Sequence, residues 1–387
     1  MSGRSNRVVI AGGGPAGMML GLLLARAGVE TLVLEKHADF LRDFRGDTLH
    51  PSTLEVMAEL GLLERLLELP HDRVAEIGAL FGDYPVRIAD FRRLPVRCGF
   101  IALMPQWDFL NFLATEAARY PAFKLRMNAE VTGLVDGGVK VGEEEIRADL
   151  VIGADGRHST VRKAAGLEVE TLGAPIDVLW FRLSRSGEDP PNTMGRFDVG
   201  AAFVLINRRD YWQCGYVIAK GAADRVRAAG LPAFRDTITR LIPWAADSAG
   251  ELKSWDQVKL LTVQIDRLKK WWRPGLLCIG DAAHAMSPVG GVGINLAIQD
   301  AVAAGNILKN GLSNENLEKI QQRRLWPVRV TQRLQILVQD RVITRVLSGT
   351  QPLGRPLPLR LLNRFPRLRG IPGRLVGMGV RPEHVDR

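Results

Sequence analysis

The chain contains little cysteine, which argues against several kinds of cysteine-based site. Among 387 residues there are three cysteines, Cys98, Cys214 and Cys278, and no Cys-x-x-Cys pair. An odd, scattered set of thiols indicates neither a disulfide framework nor a redox-active dithiol. The six histidines are also scattered and lack the spacing of metal ligands. We therefore expect no metal site.

Long apolar runs are absent as well. The run from Met18 to Leu24 is too short to cross a bilayer and is soon followed by Arg26. A strand is predicted directly after the first few residues, which leaves no room for a charged leader with a cleavage site. We expect a cytoplasmic protein. With 46% hydrophobic residues the chain can bury a large core, and its length is typical of roughly two domains.

Positive charge is concentrated at the C-terminal end. The net charge is +10, and residues 320–387 contain 14 arginines, no lysine and three acidic residues. Five prolines between residues 352 and 374 predict broken helix at most. The interpretations are a solvated extension that wraps the body of the protein, a weak contact with an anionic membrane surface or a partner, and nucleic-acid binding. The segment lacks a recognisable nucleic-acid module, which argues against the last; the second would place the protein peripherally at the inner membrane surface.

A glycine-rich turn near the N-terminus is typical of a dinucleotide-binding fold. The strand-like run Arg7–Ala11 is followed at once by GGGPAG and then by helical spacing of apolar residues. Gly12 permits a tight turn, Gly14 lets the backbone approach a pyrophosphate, and Gly17 allows the helix to pack closely. Pro15 suits a first helical turn, where its missing N–H is not needed.

An acidic residue follows the second predicted strand. Thr31–Leu34 has the composition of a buried strand, and Glu35 stands about 20 residues past the glycines. A carboxylate at this position can accept hydrogen bonds from ribose hydroxyls and disfavours a 2′-phosphate.

Two further motifs also follow buried strands. In ADGRHS, Asp155 could meet a ribose or ribityl hydroxyl, and Arg162, in the helical stretch that follows, could lie near phosphate. In GDAAHAMSPVGGVGIN, Asp281 stands at the carboxyl end of a strand, where ligands of parallel sheets gather. The glycines after Pro288 open a helix whose amides could stabilise negative charge on a reduced flavin ring. We therefore predict that three distant segments hold one FAD.

Together these motifs resemble the single-component (class A) FAD-dependent aromatic monooxygenases of the p-hydroxybenzoate hydroxylase group. GGGPAG with Glu35, RGDTLHPSTLEVM, MPQWDFL, ADGRHSTVR and GDAAHAMSPVGGVGINLAIQDA carry the resemblance, over roughly residues 5–310. Within the group the chain is most similar to ubiquinone-biosynthesis and antibiotic-tailoring hydroxylases. The resemblance implies hydroxylation of an aromatic, phenolic or polyketide-like small molecule with O2 through a flavin C4a-hydroperoxide. NADH or NADPH would be the electron donor, bound without a second nucleotide fold.

The resemblance also implies a set of FAD-binding residues. Arg45 and Gln106 would contact the extended part of the cofactor, Asp281 its ribityl hydroxyls, and Val131 the adenine through its backbone. Asp155 and Arg162 are candidates for an outer shell shared with the nicotinamide donor. The whole set is Gly12, Gly14, Pro15, Ala16, Gly17, Glu35, Lys36, Arg45, Gln106, Val131, Asp155, Asp281, Pro288, Gly291, Val292, Gly293, Ile294 and Asn295.

Some side-chain roles stay unassigned. Val292 stands where many relatives carry glutamine, so any role of that glutamine side chain is absent. Neither His50, His284 nor Tyr211 can be identified as a base, and no catalytic residue is named. His284 is expected to be structural and hydrogen-bonded within its own loop.

The expected fold class is α/β: a Rossmann-like FAD-binding domain interleaved with an antiparallel β-sheet substrate domain, plus a C-terminal helical region. The FAD-binding domain would comprise residues 1–75, 98–170 and 272–312, the substrate domain residues 76–97 and 171–271, and the C-terminal helix with its basic, Pro-rich extension residues 313–387.

Local patterns predict individual elements outside the motifs. Strands are predicted over 177–183, 201–207 and 211–219, and Phe203 is expected to share a face with Tyr211. A long helix is predicted over 314–347, interrupted near Pro327 because proline cannot continue the hydrogen-bond ladder.

Alternative functions remain. An FAD-dependent dehydrogenase or reductase would transfer hydride without inserting oxygen, and a non-catalytic nucleotide-binding protein would do neither. A flavin-dependent halogenase would carry a WxWxIP signature, which Trp271-Trp272 does not match. A second glycine-rich fingerprint is absent, which argues against the two-dinucleotide disulfide reductases. The substrate, the choice between NADH and NADPH, and the oligomeric state stay open.

Overall fold

The computed structural model describes residues 7–41, 47–190, 193–349, 354 and 356–386. The helices in these ranges are α1 Pro15–Arg26, α2 Pro51–Glu59, α3 Leu63–Leu67, α4 Gln106–Ala117, α5 Thr160–Ala164, α6 Ala223–Ala228, α7 Leu231–Leu241, α8 Ala246–Ala249, α9 Gly293–Leu308, α10 Asn314–Val338, α11 Thr344–Ser348, α12 Leu357–Arg364 and α13 Gly370–Gly377.

The strands in the same ranges are β1 Arg7–Ala11, β2 Glu30–Leu34, β3 Thr48–Leu49, β4 Asp72–Val74, β5 Glu76–Phe81, β6 Tyr84–Asp90, β7 Ile101–Leu103, β8 Phe123–Arg126, β9 Val131–Val135, β10 Gly138–Val141, β11 Glu144–Arg147, β12 Leu150–Gly153, β13 Val169–Thr171, β14 Ile176–Ser184, β15 Met194–Asp198, β16 Ala201–Asn207, β17 Tyr211–Ala219, β18 Lys259–Leu261, β19 Asp266–Leu268, β20 Trp272–Arg273, β21 Leu276–Cys278 and β22 His284–Ala285.

A six-stranded sheet brings the three motifs together. Its order is β20-β21-β12-β1-β2-β8, and all neighbours are parallel except β20 and β21. The strands β1, β12 and β21 are apolar and buried, as expected for parallel strands covered on both faces. Each of these three adjacent strands leads directly into one motif, so the motifs leave the sheet at the same edge. The α/β fold class is confirmed.

A second large sheet lies beside the first. Its order is β18-β14-β17-β16-β15-β5-β6, and all pairs are antiparallel except β15 with β5. The strands β14, β16 and β17 agree with their predicted ranges within one residue. One face of this sheet packs on α7, where Phe181 and Phe203 meet Phe234 and Ile238.

The predicted faces of the β16–β17 hairpin are wrong. Phe203 pairs with Tyr216, and Ile206 pairs with Gln213. The face with Phe203 therefore carries Leu205, Trp212, Cys214 and Tyr216, and the opposite face carries Val204, Ile206, Tyr211 and Gln213. The turn determines this register: Arg209 adopts a φ of 63°, and a one-residue shift in pairing exchanges the two faces of a strand.

The predicted interruption near Pro327 is also wrong. The helix α10 continues through Pro327, and the irregularity falls at 339–343, which is π-helical and leads into α11. Proline removes one backbone hydrogen bond, but Arg324, Val328 and Gln332 on the same helix are buried in tertiary contacts. Packing on both sides of Pro327 therefore holds the helix together.

The C-terminal segment is broken helix, as predicted. Helix α12 is followed by a 3-10 turn at Pro366–Arg369 and by α13. Within the described ranges, every helix is too short or too polar to cross a bilayer.

Candidate functional site

The first motif forms the turn between β1 and α1. Gly12 has a φ of 106°, and a Cβ atom there would lie 2.4 Å from the carbonyl oxygen of Ala154. A Cβ on Gly17 would lie 1.9 Å from the carbonyl oxygen of Gly12. A Cβ on Gly14, in contrast, would meet nothing within 4 Å. Close packing thus requires glycine at two positions, while the third borders open space.

The three motifs touch one another at this turn. The second motif approaches the first where the backbone of Ala154 contacts Gly12. The third motif approaches where Gly280, with a φ of 58°, would place a Cβ 3.1 Å from the Cβ of Ala16. Segments separated by well over a hundred residues therefore converge within van der Waals distance.

Glu35 lies at the end of β2, beside the same turn. Its buried carboxylate accepts hydrogen bonds from the backbone N–H of Gly13 at 3.0 Å and of His37 at 3.1 Å. These contacts orient the carboxylate beside the turn. Lys36 is exposed, and Ala129, which leads into β9 and Val131, donates its N–H to the Glu35 carbonyl at 2.8 Å.

The second motif places its charged side chains in protein contacts. Asp155 accepts hydrogen bonds from the hydroxyl of Ser159 and from the N–H of Val161, and so caps the short helix α5. Arg162 is buried and pairs with Asp266 at 3.4 Å. Its charge is matched inside the protein, and its expected position near a phosphate stays a prediction.

The third motif forms a turn, a strand and a glycine-rich loop. Asp281 is exposed beside Gly280, at the carboxyl end of β21. The loop from Pro288 has Gly290 at a φ of 81° and Gly291 at a φ of 62°, a region that favours glycine. Helix α9 begins at Gly293, and no side chain caps its N-terminus. The backbone N–H groups of its first turn, which includes Ile294, therefore lie at the end of the loop.

Asn295 fastens this loop to the segment before α2. Its side-chain oxygen accepts from the His50 N–H at 2.9 Å and from the Thr53 hydroxyl at 2.7 Å. Its side-chain nitrogen donates to the carbonyls of Thr48 at 3.0 Å and Gly291 at 3.3 Å. The amide group is saturated by the protein, so any contact of Asn295 with a cofactor would use its backbone.

A buried ion pair links the segment at the start of β3, which contacts the glycine-rich loop through Thr48, to the second sheet. Arg208, at the hairpin turn, contacts Asp47 at 2.6 Å and donates to Gln213 at 3.1 Å. Asp47 also accepts from the N–H of Gln106 at 3.1 Å, at the start of α4. Burial raises the pKa of Asp47, although the positive charge of Arg208 opposes this shift. Arg45 lies outside the described residues.

A family model described as an FAD binding domain matches residues 5–325. The 6-methylpretetramide 4-monooxygenase of Streptomyces rimosus is 33% identical, over 95% of this chain and 91% of that protein.

The chain belongs to this FAD-binding family. It is an FAD-dependent monooxygenase of the class that the motifs predict. Two solved structures share the fold: 2-methyl-3-hydroxypyridine-5-carboxylic acid oxygenase, with a TM-score of 0.74, 22% identity and coverage of 90% of this chain and 94% of that chain, and the Diels-Alderase PyrE3 of the pyrroindomycin pathway, with a TM-score of 0.75, 23% identity and coverage of 96% and 80%.

His50 is a residue of this flavin monooxygenase whose placement the sequence did not reveal. Its ring is fully buried, and Nδ1 lies 2.8 Å from the carbonyl oxygen of Val376, so Nδ1 carries the proton. Nε2 is buried without a hydrogen-bond partner in the described part of the chain. It lies 3.5 Å from the position a Cβ would take on Gly291. The imidazole thus sits between the C-terminal segment and the glycine-rich loop.

His50 is expected to make folding stability pH-dependent. Burial lowers its pKa from 6.5 to about 4, despite the hydrogen bond to Val376. Between these values the unfolded chain binds one more proton than the folded chain, so stability falls as pH falls. From about pH 7.5 to about pH 5 this group should remove about 2 kcal/mol of unfolding free energy. Denaturant titrations of the wild type and His50→Gln at both pH values measure it: the variant should lose less stability, and equal losses would contradict the assignment.

His284 is structural, but its partner is not in its own loop. Its Nε2 lies 2.5 Å from the carboxylate of Asp300 on α9, which also accepts from the N–H of Gly280 at 3.0 Å. Arg324 donates to the same carboxylate at 2.8 Å. Burial alone would raise the pKa of Asp300, but His284 and Arg324 together hold it below the usual value. This network anchors the turn of the third motif.

Proposed function

We propose that this monooxygenase inserts one oxygen atom from O2 into an aromatic, phenolic or polyketide-like small molecule, with NADH or NADPH as reductant. The observation that carries the proposal is the convergence of the three motifs, with Gly12 against Ala154 and Gly280 against Ala16. The related 6-methylpretetramide 4-monooxygenase supports an aromatic substrate class. The atoms balance when one oxygen enters the product and the other leaves as water.

The residues of the convergent turn suit the pyrophosphate of FAD. The open space at Gly14 lets an anion reach the backbone, and the N-terminus of α1 has no side-chain cap and no acidic residue in its first turn. Unpaired amides and the helix dipole favour negative charge there. We assign Gly12, Gly14, Pro15, Ala16 and Gly17 to this contact.

The two ends of FAD are assigned to opposite sides of that turn. Glu35, with Lys36 beside it, would accept from the ribose hydroxyls, and the backbone of Val131 would meet the adenine. Gln106 and Arg45 would contact the extended middle of the cofactor, as the resemblance implies. The remaining assignments are Asp155, Asp281, Pro288, Gly291, Val292, Gly293, Ile294 and Asn295.

The glycine-rich loop would hold the flavin ring. When bound, FAD supplies the two-electron chemistry that activates O2 for transfer to the substrate. The chain's own contribution is positional: Thr48 and Asn295 both hydrogen-bond the Gly291 carbonyl, at 3.0 and 3.3 Å, and so fix the loop from which α9 begins. Fixed amides at a helix N-terminus stabilise negative charge without reorganisation.

We propose that substrate binds against one face of the second sheet. The face with Phe203 is filled by α7, whereas Val289 of the glycine-rich loop packs on the opposite face, against the cluster that contains Val178 and Val217. The residues farther along that face are Trp180, Arg182, Val204, Ile206 and Gln213. The Arg208–Asp47 pair ties the same region to the segment that holds Gly291. A flat apolar ring would fit between this face and the loop.

The interleaved domains remain part of the proposal. The cofactor-binding unit would use residues 1–75, 98–170 and 272–312, and the substrate unit residues 76–97 and 171–271. The six-stranded and seven-stranded sheets draw on these same two groups of segments. Residues 313–387 would form the C-terminal part.

The test is incorporation of labelled oxygen. The FAD-loaded protein is incubated with NADPH or NADH, 18O2 and a panel of phenols and polycyclic enols, and the products are analysed by mass spectrometry. A product that gains one labelled oxygen atom supports the proposal. A product oxidised by two electrons without label would indicate a dehydrogenase. A product isomeric with its substrate, formed without NAD(P)H consumption, would indicate a non-redox reaction on the same fold. Either of the last two results would overturn the proposal.

A further inference from the structure

The C-terminal segment presents an uncovered apolar stripe. Six large side chains of α12, the following turn and α13 are exposed by 37–64%: Leu357, Leu361, Phe365, Leu368, Ile371 and Leu375. Successive members are separated by three or four residues, which is the spacing of one helical face. We call this set the apolar stripe.

The opposite side of the segment packs against the protein, which leaves the apolar stripe facing outward. Leu359 packs into the cluster that contains Phe81 and Val86. Asn363 donates to the carbonyl of Pro85 at 2.7 Å and accepts from the N–H of Arg87 at 3.2 Å, so it continues the edge strand β6. These contacts anchor the segment, and the exposure of the stripe does not arise from loose attachment.

The turn between the two helices is anchored as well. The buried Arg369 donates to the carbonyl of Leu362 at 2.9 Å and to that of Asn363 at 3.2 Å, which caps α12. A Cβ on Gly373 would lie 2.8 Å from the carbonyl oxygen of Asp90, so α13 lies directly on the protein backbone. The stripe is therefore a built surface of the folded chain.

The charges around the stripe have one sign. Residues 341–382 contain nine arginines and no Asp, Glu or Lys. Arg360, Arg364, Arg367 and Arg374 are exposed, and no ion-pair partner for them is found among the described residues. Arg369, in contrast, is used internally. Arg364 lies over the ring of Phe365, 5.7 Å from its centroid. The stripe thus combines exposed apolar side chains with exposed guanidinium groups.

The charge pattern decides which surface would cover the stripe. A symmetric contact between two copies would place arginines against arginines, which is unfavourable. At an anionic bilayer the apolar side chains would enter the boundary between headgroups and acyl chains, and the guanidinium groups would bind lipid phosphates. We propose that the apolar stripe docks this monooxygenase on an anionic membrane surface, in a peripheral and reversible manner. The proposal does not depend on the reaction that the enzyme catalyses.

The test uses full-length, FAD-loaded protein and lipid vesicles. Binding to phosphatidylcholine vesicles is compared with binding to vesicles in which about one-third of the lipid is phosphatidylglycerol, at low and high salt. We expect at least about tenfold stronger binding to the anionic vesicles and weaker binding at high salt. Equal binding to both vesicle types, or none to either, would overturn the proposal.

Two double variants separate the apolar and the electrostatic contributions. Leu361→Ser with Phe365→Ser, and Arg360→Gln with Arg364→Gln, should each weaken anionic-vesicle binding by about 10- to 30-fold, since an arginine near such a surface contributes about 1 kcal/mol. The matched controls are Leu260→Ser, an exposed leucine on β18, and Arg26→Gln with Arg225→Gln, exposed arginines elsewhere. The controls should bind as the wild type does.

Oligomeric state distinguishes a lipid surface from a protein partner. Light scattering of the wild type and the Leu361→Ser, Phe365→Ser variant in solution should give the same mass. A wild type that associates through the stripe and a variant that dissociates would overturn the proposal in favour of self-association. Vesicle binding that is unchanged in both double variants would also overturn it.

Discussion

Replacement of Gly14 by valine is expected to remove FAD from the purified protein and leave the fold intact. A Cβ at this position meets nothing within 4 Å, and the backbone has a φ of −73° and a ψ of −176°, which any residue adopts. The free protein therefore accommodates the side chain. A bound pyrophosphate would not, because the added methyl groups fill the space through which it reaches the amides of α1.

The expected loss of FAD affinity is at least about 100-fold. Hydrogen bonds to a charged group contribute about 1.5–3 kcal/mol each, and two of them would be lost. Visible absorbance of the purified protein and titration of the apoprotein with FAD measure the effect, and circular dichroism reports on the fold.

Two other glycines serve as controls for this variant. Gly187 is exposed, and a Cβ there would also meet nothing within 4 Å, so Gly187→Val should retain FAD. Gly17→Val should not fold, since its Cβ would lie 1.9 Å from a backbone oxygen. A Gly14→Val protein that purifies with wild-type FAD content would refute the assignment of this turn.

Features that depend on a short stretch of sequence, such as the glycine-rich turn, could be predicted. The glycine pattern of the first motif is visible in a short stretch of sequence, and the strands before each motif are recognisable from runs of consecutive apolar residues. The sequence therefore predicted the α/β fold and the convergence of the three motifs at one edge of the sheet. It also predicted the strands β14, β16 and β17 within one residue.

Features that depend on distant partners were not predictable. The sequence did not reveal that the side chain of Asn295 fastens the glycine-rich loop to His50, Thr53 and Thr48, more than 240 residues away in sequence. The buried pairing of Arg162 with Asp266, 104 residues away, was likewise not visible in the sequence. The hairpin faces depended on the register set by one turn, and α10 continued past Pro327 because tertiary packing outweighs local propensity.

Arg324 is another residue whose role depends on distant partners. Its replacement by methionine is expected to destabilise the protein by about 3–5 kcal/mol. Its guanidinium is fully buried between Asp300, at 2.8 Å, and Glu383, at 3.3 Å. Methionine has a suitable length but no charge, so both buried carboxylates lose a partner that compensated their desolvation. Thermal or denaturant unfolding of the FAD-free protein measures the change.

Arg323→Met is the matched control because Arg323 contacts the same Glu383, at 2.7 Å, from a side chain that is 42% exposed. The guanidinium of Arg323 stays partly in water, and Glu383 keeps Arg324 as a partner when Arg323 is replaced, so the neighbouring substitution should have a smaller effect. Adding Asp300→Asn and Glu383→Gln to Arg324→Met should recover part of the stability, since the uncompensated buried charges are then removed. Equal destabilisation by the two arginine substitutions would show that burial of Arg324 is not the cause.

Replacement of Arg324 by methionine is also expected to lower the affinity for FAD. Asp300 holds the N–H of Gly280 and the ring of His284, and Gly280 contacts Ala16 at the first motif. Arg324 therefore connects the C-terminal segment at Glu383 to the turn where the motifs converge. Under conditions in which Arg324→Met is still folded, its FAD affinity should fall more than that of Arg323→Met. Equal FAD affinity of the two folded variants would show that the network stabilises the fold without positioning the cofactor turn.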